Sequence, residues 1–173
     1  TTLEQRQELY LAAGATAMLV FHFDSALAGT SAEDFVRVLL HERMGAAGVV
    51  TGEDFTFGKG RGGNLSVLRA LGAEVGIEAR TVAPVMDGGD PVSSSRIRHA
   101  LQEGDCATAT RLLTRPFAIR GVVQHGDKLG RTIGYPTANL ALGSYLRPRY
   151  GIYAVTGTLP GGRVVHGAAN MGV

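Results

Sequence analysis

Residues 130–140 read GRTIGYPTANL, and residues 125–129 directly before them read HGDKL. Glycines recur through this region beside cationic side chains, and Pro136, Thr137 and Asn139 follow. Glycine lets backbone N–H groups approach a phosphate, and the neutral oxygens of threonine and asparagine suit a hard cation such as Mg²⁺ that bridges phosphates. A Gly/Pro-rich turn between two strands would explain the same composition. The segment by itself therefore leaves both interpretations open.

The hydrophobic pattern on either side of this segment has a period of two residues. Apolar residues alternate from Phe117 to Val123, and a second run from Ile152 to Leu159 ends in a Pro-Gly-Gly turn. Short alternating runs with Gly-rich turns favour a small antiparallel β-barrel. We place this domain at residues 115–173.

Residues 1–114 alternate between helix and strand patterns, which favours a parallel α/β sheet. Helices are expected at residues 3–11, after a capping box of Thr30 and Glu33, from Leu65 to Gly72, and at residues 94–103 and 105–113. Strands are expected at residues 17–21 (a buried AMLVF run), 45–51 and 75–79. Pro116 prevents the last helix from continuing, so the domain boundary is predicted at residues 114–116.

The composition fits one ordinary domain or two small ones. The chain has 173 residues, of which 45% are apolar and 18% charged, and its net charge is +2. This small positive charge is compatible with anionic small molecules, and we expect neither a nucleic-acid nor a membrane partner. The single cysteine, Cys106, excludes an internal disulfide, and its Ala- and Thr-rich helical surroundings predict a buried thiol.

A glycine-rich loop, GEDFTFGKGRGG (residues 52–63), follows the second predicted strand. Ligands of open α/β sheets bind beyond the carboxyl ends of strands, so this loop with Asp54 is a candidate ligand wall. A surface loop that packs Phe55 and Phe57 into the core is the alternative interpretation.

The segment VSSSRIR (residues 92–98) opens a predicted helix. A helix N-terminus attracts anions, Ser94 and Ser95 add hydroxyl donors, and Arg98 adds a guanidinium one turn later. Together they could hold a di- or triphosphate, although an N-cap serine followed by solvated arginines would give the same pattern.

In their order, these segments resemble the bifunctional prokaryotic FAD synthetase family, in which a riboflavin kinase is fused to an FMN adenylyltransferase. The matching segments are GEDFTFG, SSSRIR, GRTIGYPTANL, GIYAV and AANMG. The resemblance implies an α/β + β fold. A partial Rossmann-like nucleotidylyltransferase domain (residues 1–114) would be followed by part of a riboflavin kinase β-barrel (residues 115–173).

The resemblance also implies an activity. The family phosphorylates riboflavin with ATP to give FMN, and then transfers AMP from a second ATP to FMN, which gives FAD and pyrophosphate. Both steps use Mg²⁺. We expect a cytoplasmic enzyme with small-molecule substrates, while the oligomeric state is left open by the sequence.

Residue roles follow from the matched positions. Ser94, Ser95 and Arg98 match the phosphate-holding motif of the adenylyltransferase site, where Arg98 would offset charge on the departing pyrophosphate. The family usually has threonine where this chain has Ser95, so a hydroxyl is retained. Asp54 and Phe57 match the flavin-side loop of the same domain.

In the kinase half, Thr137 and Asn139 match the residues that hold Mg²⁺ and the nucleotide phosphates. Asn170, in AANMG, is expected to approach the flavin. The glycines that would let the loop close over ATP are Gly126, Gly130 and Gly134.

Two elements of the family pattern do not occur in the 173 residues. The family's first strand carries G-x-F-D-G-V-H-x-G-H, and the five histidines of this chain have no such spacing. The glutamate that serves as the kinase base in this family would lie beyond Val173. We therefore expect the complete protein to extend past both ends of this chain. The alternative is a genuine fragment, which would be inactive.

Two other functions stay open. One is a riboflavin kinase with a degenerate nucleotide-binding domain. The other is an RNA-binding protein that uses arginines, against which the small net charge argues. Those arginines would be Arg61, Arg96, Arg98 and Arg131.

Overall fold

The computed structural model describes residues 1–126, 129–132, 134 and 136–172. The chain forms two compact units, of which one comprises Thr1–Met18 with Val92–Val173 and the other Leu19–Pro91. The predicted boundary at residues 114–116 concerns family domains rather than compact units, and it stays a prediction.

The described helices lie mainly in the first two thirds of the chain, and the two longest strands lie near its end. The helices are α1 (Leu3–Ala12), α2 (Ser25–Gly29), α3 (Ala32–Asp34), α4 (Leu65–Glu74), α5 (Ser94–Glu103), α6 (Cys106–Leu113) and α7 (Leu129–Thr132). A π-helical segment (Phe35–Arg43) continues α3, and Lys59–Arg61 forms a short 3₁₀ turn. The strands are β1 (Gly48–Gly52), β2 (Glu78–Val82), β3 (Met86–Asp87), β4 (Asp90–Pro91), β5 (Val123–Gln124), β6 (Asn139–Leu140), β7 (Gly151–Thr158) and β8 (Val164–Met171).

The unit Leu19–Pro91 is built on a parallel strand pair. Strand β1 pairs with β2 from Gly48 opposite Glu78 to Gly52 opposite Val82. Helix α4 connects them, and Asn64 starts this helix by accepting a hydrogen bond from the Val67 backbone N–H at 3.1 Å. The parallel pairing predicted from strand–helix alternation is thus confirmed for these two strands. The buried core is Val36, Leu40, Phe57, Leu68 and Ile77.

Leu68→Ala is expected to lower the free energy of unfolding by about 2–5 kcal/mol, because Leu68 is fully buried and its loss leaves a cavity. Urea unfolding followed by circular dichroism measures this change. Leu19→Ala is the matched control, since Leu19 is 62% exposed and should shift stability by less than about 0.5 kcal/mol. Equal shifts for both variants would contradict the placement of Leu68 in the core.

The other unit contains a helical hairpin whose ends follow the local sequence. Ser93 caps α5 by accepting from the Arg96 backbone N–H at 3.2 Å. Gly104 ends α5 in the left-handed region at φ +79°, where glycine is strongly favoured. Asp105 then caps α6 by accepting from the Thr108 N–H at 2.9 Å, and this hydrogen bond lowers the pKa of the Asp105 carboxyl. Ala100, Leu101 and Ala109 are buried between the helices.

The remaining strands of this unit are antiparallel hairpins. Val123 pairs with Leu140, and Gln124 pairs with Asn139. Strand β7 pairs with β8 along its whole length, from Gly151 opposite Met171 to Thr158 opposite Val164. The part of the chain that the structure describes shows only two-stranded sheets and no closed barrel.

Three strand predictions need correction. Residues 17–21 form neither a strand nor a buried run: Leu19 is 62% exposed and Val20 58% exposed, because no described strand pairs with them. Of the run predicted from Phe117 to Val123, only Val123 pairs as a strand, together with the next residue, Gln124. The strand predicted at residues 75–79 begins later, at Glu78, because Gly76 at φ +77° interrupts the extended backbone.

Three local predictions were also wrong in detail. Ser31 rather than Thr30 caps the helix before Phe35, with Asp34 rather than Glu33 as its partner. Helix α4 continues past Gly72 to Glu74. Cys106 is exposed, because it is the first residue of α6 and lies outside the cluster that buries Ala109.

Candidate functional sites

The N-terminus of α5 brings two of the predicted phosphate-binding residues together. Because Ser93 supplies the cap, the hydroxyls of Ser94 and Ser95 are not used for capping, and both residues are exposed. Arg98 is exposed as well, and its Nη2 donates a hydrogen bond to Ser95 Oγ at 3.0 Å. The N–H groups of the helix start, two hydroxyls and a guanidinium thus lie within the first five residues of α5, an arrangement that can hold a phosphate.

The loop after β1 has a buried aromatic side and an exposed polar side. Phe57 is 6% exposed, and its ring centroid lies 5.0 Å from Phe35 and 5.6 Å from Phe55. Phe57 and Gly63 exchange backbone hydrogen bonds, and a side chain at Gly63 would collide with the Phe57 ring at 2.6 Å. Phe57 therefore packs into the core, as the alternative interpretation predicted, while Asp54 is exposed. Their flavin-side role stays a prediction.

We define the glycine loop as residues 126–139. Its first residue, Gly126, lies close to its last residue, Asn139. Strand pairing places Gln124 opposite Asn139, and this brings the Asn139 amide against the backbone of Gly126. A Cβ at Gly126 would collide with Asn139 Nδ2, so only glycine fits here without displacing the amide. Two predicted ATP-binding residues are thus neighbours in the structure.

The other predicted residues of the glycine loop are Thr137, Gly134 and Gly130. Thr137 is exposed two residues before Asn139. Gly134 has φ +79°, a conformation that favours glycine. Gly130 lies in α7. Of the cationic residues that the sequence places here, Lys128 lies outside the described residues.

The donors at this loop are compatible with Mg²⁺. Thr137 and Asn139 provide neutral oxygens, which Mg²⁺ accepts as ligands when phosphates supply the negative charge. Within the described ranges, no group of three or more His, Cys, Asp or Glu side chains could hold a metal ion.

Asn170, the predicted flavin contact, lies in β8 opposite Ile152 and is exposed. Its approach to a flavin stays a prediction.

Sequence patterns missed a buried polar contact in the unit that contains α1. The Tyr145 hydroxyl donates to Gln5 Oε1 at 2.9 Å and accepts from the Arg120 backbone N–H at 3.1 Å. Gln5 Nε2 donates to the Ala118 carbonyl at 3.2 Å. No local pattern could have indicated this contact, because glutamine is ordinarily an exposed residue and Ala118 and Tyr145 lie more than 100 positions away from Gln5.

Comparison with known proteins assigns the chain to a family. The sequence model of the FAD synthetase family matches residues 1–96, which is more than half of the chain. The chain belongs to the FAD synthetase family. The riboflavin kinase family model matches residues 113–173, so this member of the FAD synthetase family also carries riboflavin kinase sequence.

Curated relatives of this FAD synthetase family member have one name in common. The bifunctional riboflavin kinase/FMN adenylyltransferase of Escherichia coli K12 is 37% identical over 172 residues, which is 99% of this chain and 55% of the relative. The protein of the same name from Pseudomonas fluorescens is 38% identical over 160 residues, covering 92% of this chain and 51% of the relative. The chain thus spans about half the length of the curated relatives it matches.

A solved structure has the same fold. The crystal structure titled as a macrolide-efflux protein from Streptococcus pneumoniae superposes with a TM-score of 0.85 at 32% sequence identity, and the match covers 98% of this chain and 54% of that one. Its title differs from the names of the curated relatives, which agree with both matching family models.

Among the described residues, no helix combines the length and the apolar composition needed to cross a membrane.

Proposed function

We propose that this chain contributes to FAD biosynthesis from riboflavin, as part of a protein with two transferase activities. The first activity is ATP-dependent phosphorylation of riboflavin to FMN. The second is transfer of AMP from ATP to FMN, which gives FAD and pyrophosphate. One observation carries the proposal: the two family models match separate parts of the chain, and each part carries one of the motifs that we expect to bind phosphate.

For the AMP transfer we assign the phosphate-binding role to the first turn of α5. Ser94 and Ser95 would donate hydrogen bonds to ATP phosphates, and Arg98 would stabilise the charge that builds up on pyrophosphate as it leaves. The hydrogen bond from Arg98 to Ser95 supports this assignment, because it orients the guanidinium at the helix N-terminus. We assign Asp54 to the flavin side of this reaction, while Phe57 would hold the same loop against the core.

For the kinase reaction we assign nucleotide binding to the glycine loop. Gly126, Gly130 and Gly134 would let backbone N–H groups come close to ATP, and Thr137 and Asn139 would face its phosphates. Mg²⁺ held at these oxygens would neutralise phosphate charge. Phosphoryl transfer depends mainly on positioning and charge neutralisation, which suits this set of neutral donors. Asn170 would contact riboflavin.

The complete protein would combine a Rossmann-like nucleotidylyltransferase domain with a riboflavin kinase β-barrel. The parallel β1–β2 pair supports the first and the antiparallel hairpins support the second. We place the domains at residues 1–114 and 115–173. The substrates would be small molecules used in the cytoplasm.

The proposal is tested with the complete protein, riboflavin and Mg-ATP. Chromatography of the flavins should show FMN and then FAD, and FMN with ATP alone should release pyrophosphate. FMN formation without pyrophosphate release would support the alternative, a riboflavin kinase with a degenerate nucleotide-binding domain. Absence of both products would reject the proposed function.

A further inference from the structure

Helix α1 makes its buried contact through a polar residue. Gln5 is 6% exposed, whereas Leu3 and Leu11 of the same helix are each 50% exposed. Burying an amide is unfavourable unless its hydrogen bonds are made, and here both ends of the Gln5 amide are satisfied. The hydrogen bonds of Gln5 therefore hold this helix in one defined place.

The Gln5 contacts reach the segment that leads into the glycine loop. Gln5 Nε2 holds the Ala118 carbonyl directly, and Gln5 Oε1 accepts from Tyr145, whose hydroxyl accepts in turn from the Arg120 N–H. Two backbone groups of residues 118–120 are thus fixed by one helix side chain and its partner. The same segment continues through β5 to Gly126, the residue that contacts Asn139.

Two further contacts surround this network. The ring of Phe117 meets the Tyr145 ring edge-on at 6.3 Å between centroids, which shields the hydroxyl network from water. At the surface, Arg120 Nη1 lies 2.7 Å from Glu8 Oε1. The hydrogen bond between these two side chains lowers the pKa of the Glu8 carboxyl and raises the pKa of Arg120. Because both side chains are more than half exposed, this ion pair contributes little by itself.

The position of α1 in the sequence makes this contact informative. Gln5 lies in the part of the chain that the FAD synthetase model matches, whereas Ala118, Arg120 and Tyr145 lie in the part that the riboflavin kinase model matches. We propose that α1 supports the kinase activity and that Gln5 is a positioning residue for the kinase half. Gln5 acts through Tyr145 and residues 118–120 on the Gly126–Asn139 contact of the glycine loop.

The consequence for activity rests on the proposed function. Gln5→Met keeps the side-chain length but removes its hydrogen bonds, so residues 118–120 should lose their anchor. In the complete protein, we expect the KM for ATP in riboflavin phosphorylation to rise about tenfold while AMP transfer to supplied FMN changes less than about twofold. Tyr145→Phe should act in the same direction. Gln7→Met is the matched control, because Gln7 is exposed on the same helix and should change neither reaction.

The double variant separates a direct contact from general damage. Gln5→Met with Tyr145→Phe should lose less than the product of the two single losses, because each single variant already breaks the same hydrogen bond. A fall in kcat of both reactions by one common factor would indicate loss of folded protein and would overturn the positioning role. If the loss in the double variant equalled the product of the two single losses, the direct contact between Gln5 and Tyr145 would be overturned.

Hydrogen exchange tests the inference without any activity. In Gln5→Met, amides of residues 117–124 should exchange about tenfold faster than in Gln7→Met, because their anchor is gone. If the wild-type protein makes neither FMN nor FAD, the proposed function fails, and this exchange comparison still decides whether Gln5 anchors residues 117–124. Unchanged exchange at residues 117–124 would reject this anchoring role.

Discussion

Replacing Asn139 with alanine is expected to abolish formation of FMN from riboflavin while AMP transfer to supplied FMN continues. Asn139 lies against the backbone of Gly126, and strand pairing with Gln124 fixes its position. Removing one preorganised polar group that stabilises a transition state typically costs about 10²–10³-fold in kcat. We expect a loss of this size in riboflavin phosphorylation, measured by chromatography of the flavins.

The matched control for Asn139→Ala is Gln7→Ala, which removes an exposed amide from α1. It should leave both reactions unchanged. Gly126→Ala provides an independent check, because its new methyl group would push the Asn139 amide aside while leaving the amide in the protein. If Asn139→Ala lost AMP transfer instead of FMN formation, the assignment of the glycine loop to the kinase would be wrong.

Arg98→Ala is expected to have the reverse effect, a loss of AMP transfer with normal FMN formation. Arg98 is exposed at the N-terminus of α5, and its hydrogen bond to Ser95 orients it there. Its charge would be needed most when pyrophosphate leaves, so kcat should fall more than substrate binding, by about 10²–10³-fold. Pyrophosphate release from FMN and ATP measures the loss.

Two variants control for the charge of Arg98. Arg69→Ala removes an exposed arginine from α4 and should leave AMP transfer unchanged. Arg98→Lys keeps the charge but not the planar set of donors, so it should restore only part of the activity. If Arg98→Ala and Asn139→Ala reduced the same reaction, the assignment of two separate sites would fail.

Much of the local structure could be predicted from the sequence because it depends on neighbouring residues. Helix α5 begins and ends where predicted, at Ser94 and Glu103, since an N-terminal serine and a left-handed Gly104 define its ends. A turn of Pro160, Gly161 and Gly162 is predicted to follow a strand, and β7 and β8 pair around it. The motifs SSSRIR and GRTIGYPTANL likewise indicate the family, because the residue types and spacing that define them are local.

Burial was harder to predict, because it depends on elements far apart in the chain. The apolar run at residues 17–21 has the pattern of a buried strand, but it is exposed because no described strand lies beside it. Cys106 has the surroundings of a buried thiol, but its position at the start of α6 exposes it. Phe57 fitted both a ligand wall and the core, and its contacts with Phe35 and Phe55 place it in the core.

The family, the candidate site residues and the ends of several helices could be predicted from the sequence, because caps, turns and motifs act over a few residues. The contact of Asn139 with Gly126 and the hydrogen bond between Tyr145 and Gln5 of α1 depend on the folded chain. Both contacts join residues distant in sequence, and the free energy of a buried hydrogen bond depends on whether folding brings its partner within reach. Local patterns carry no information about that distance.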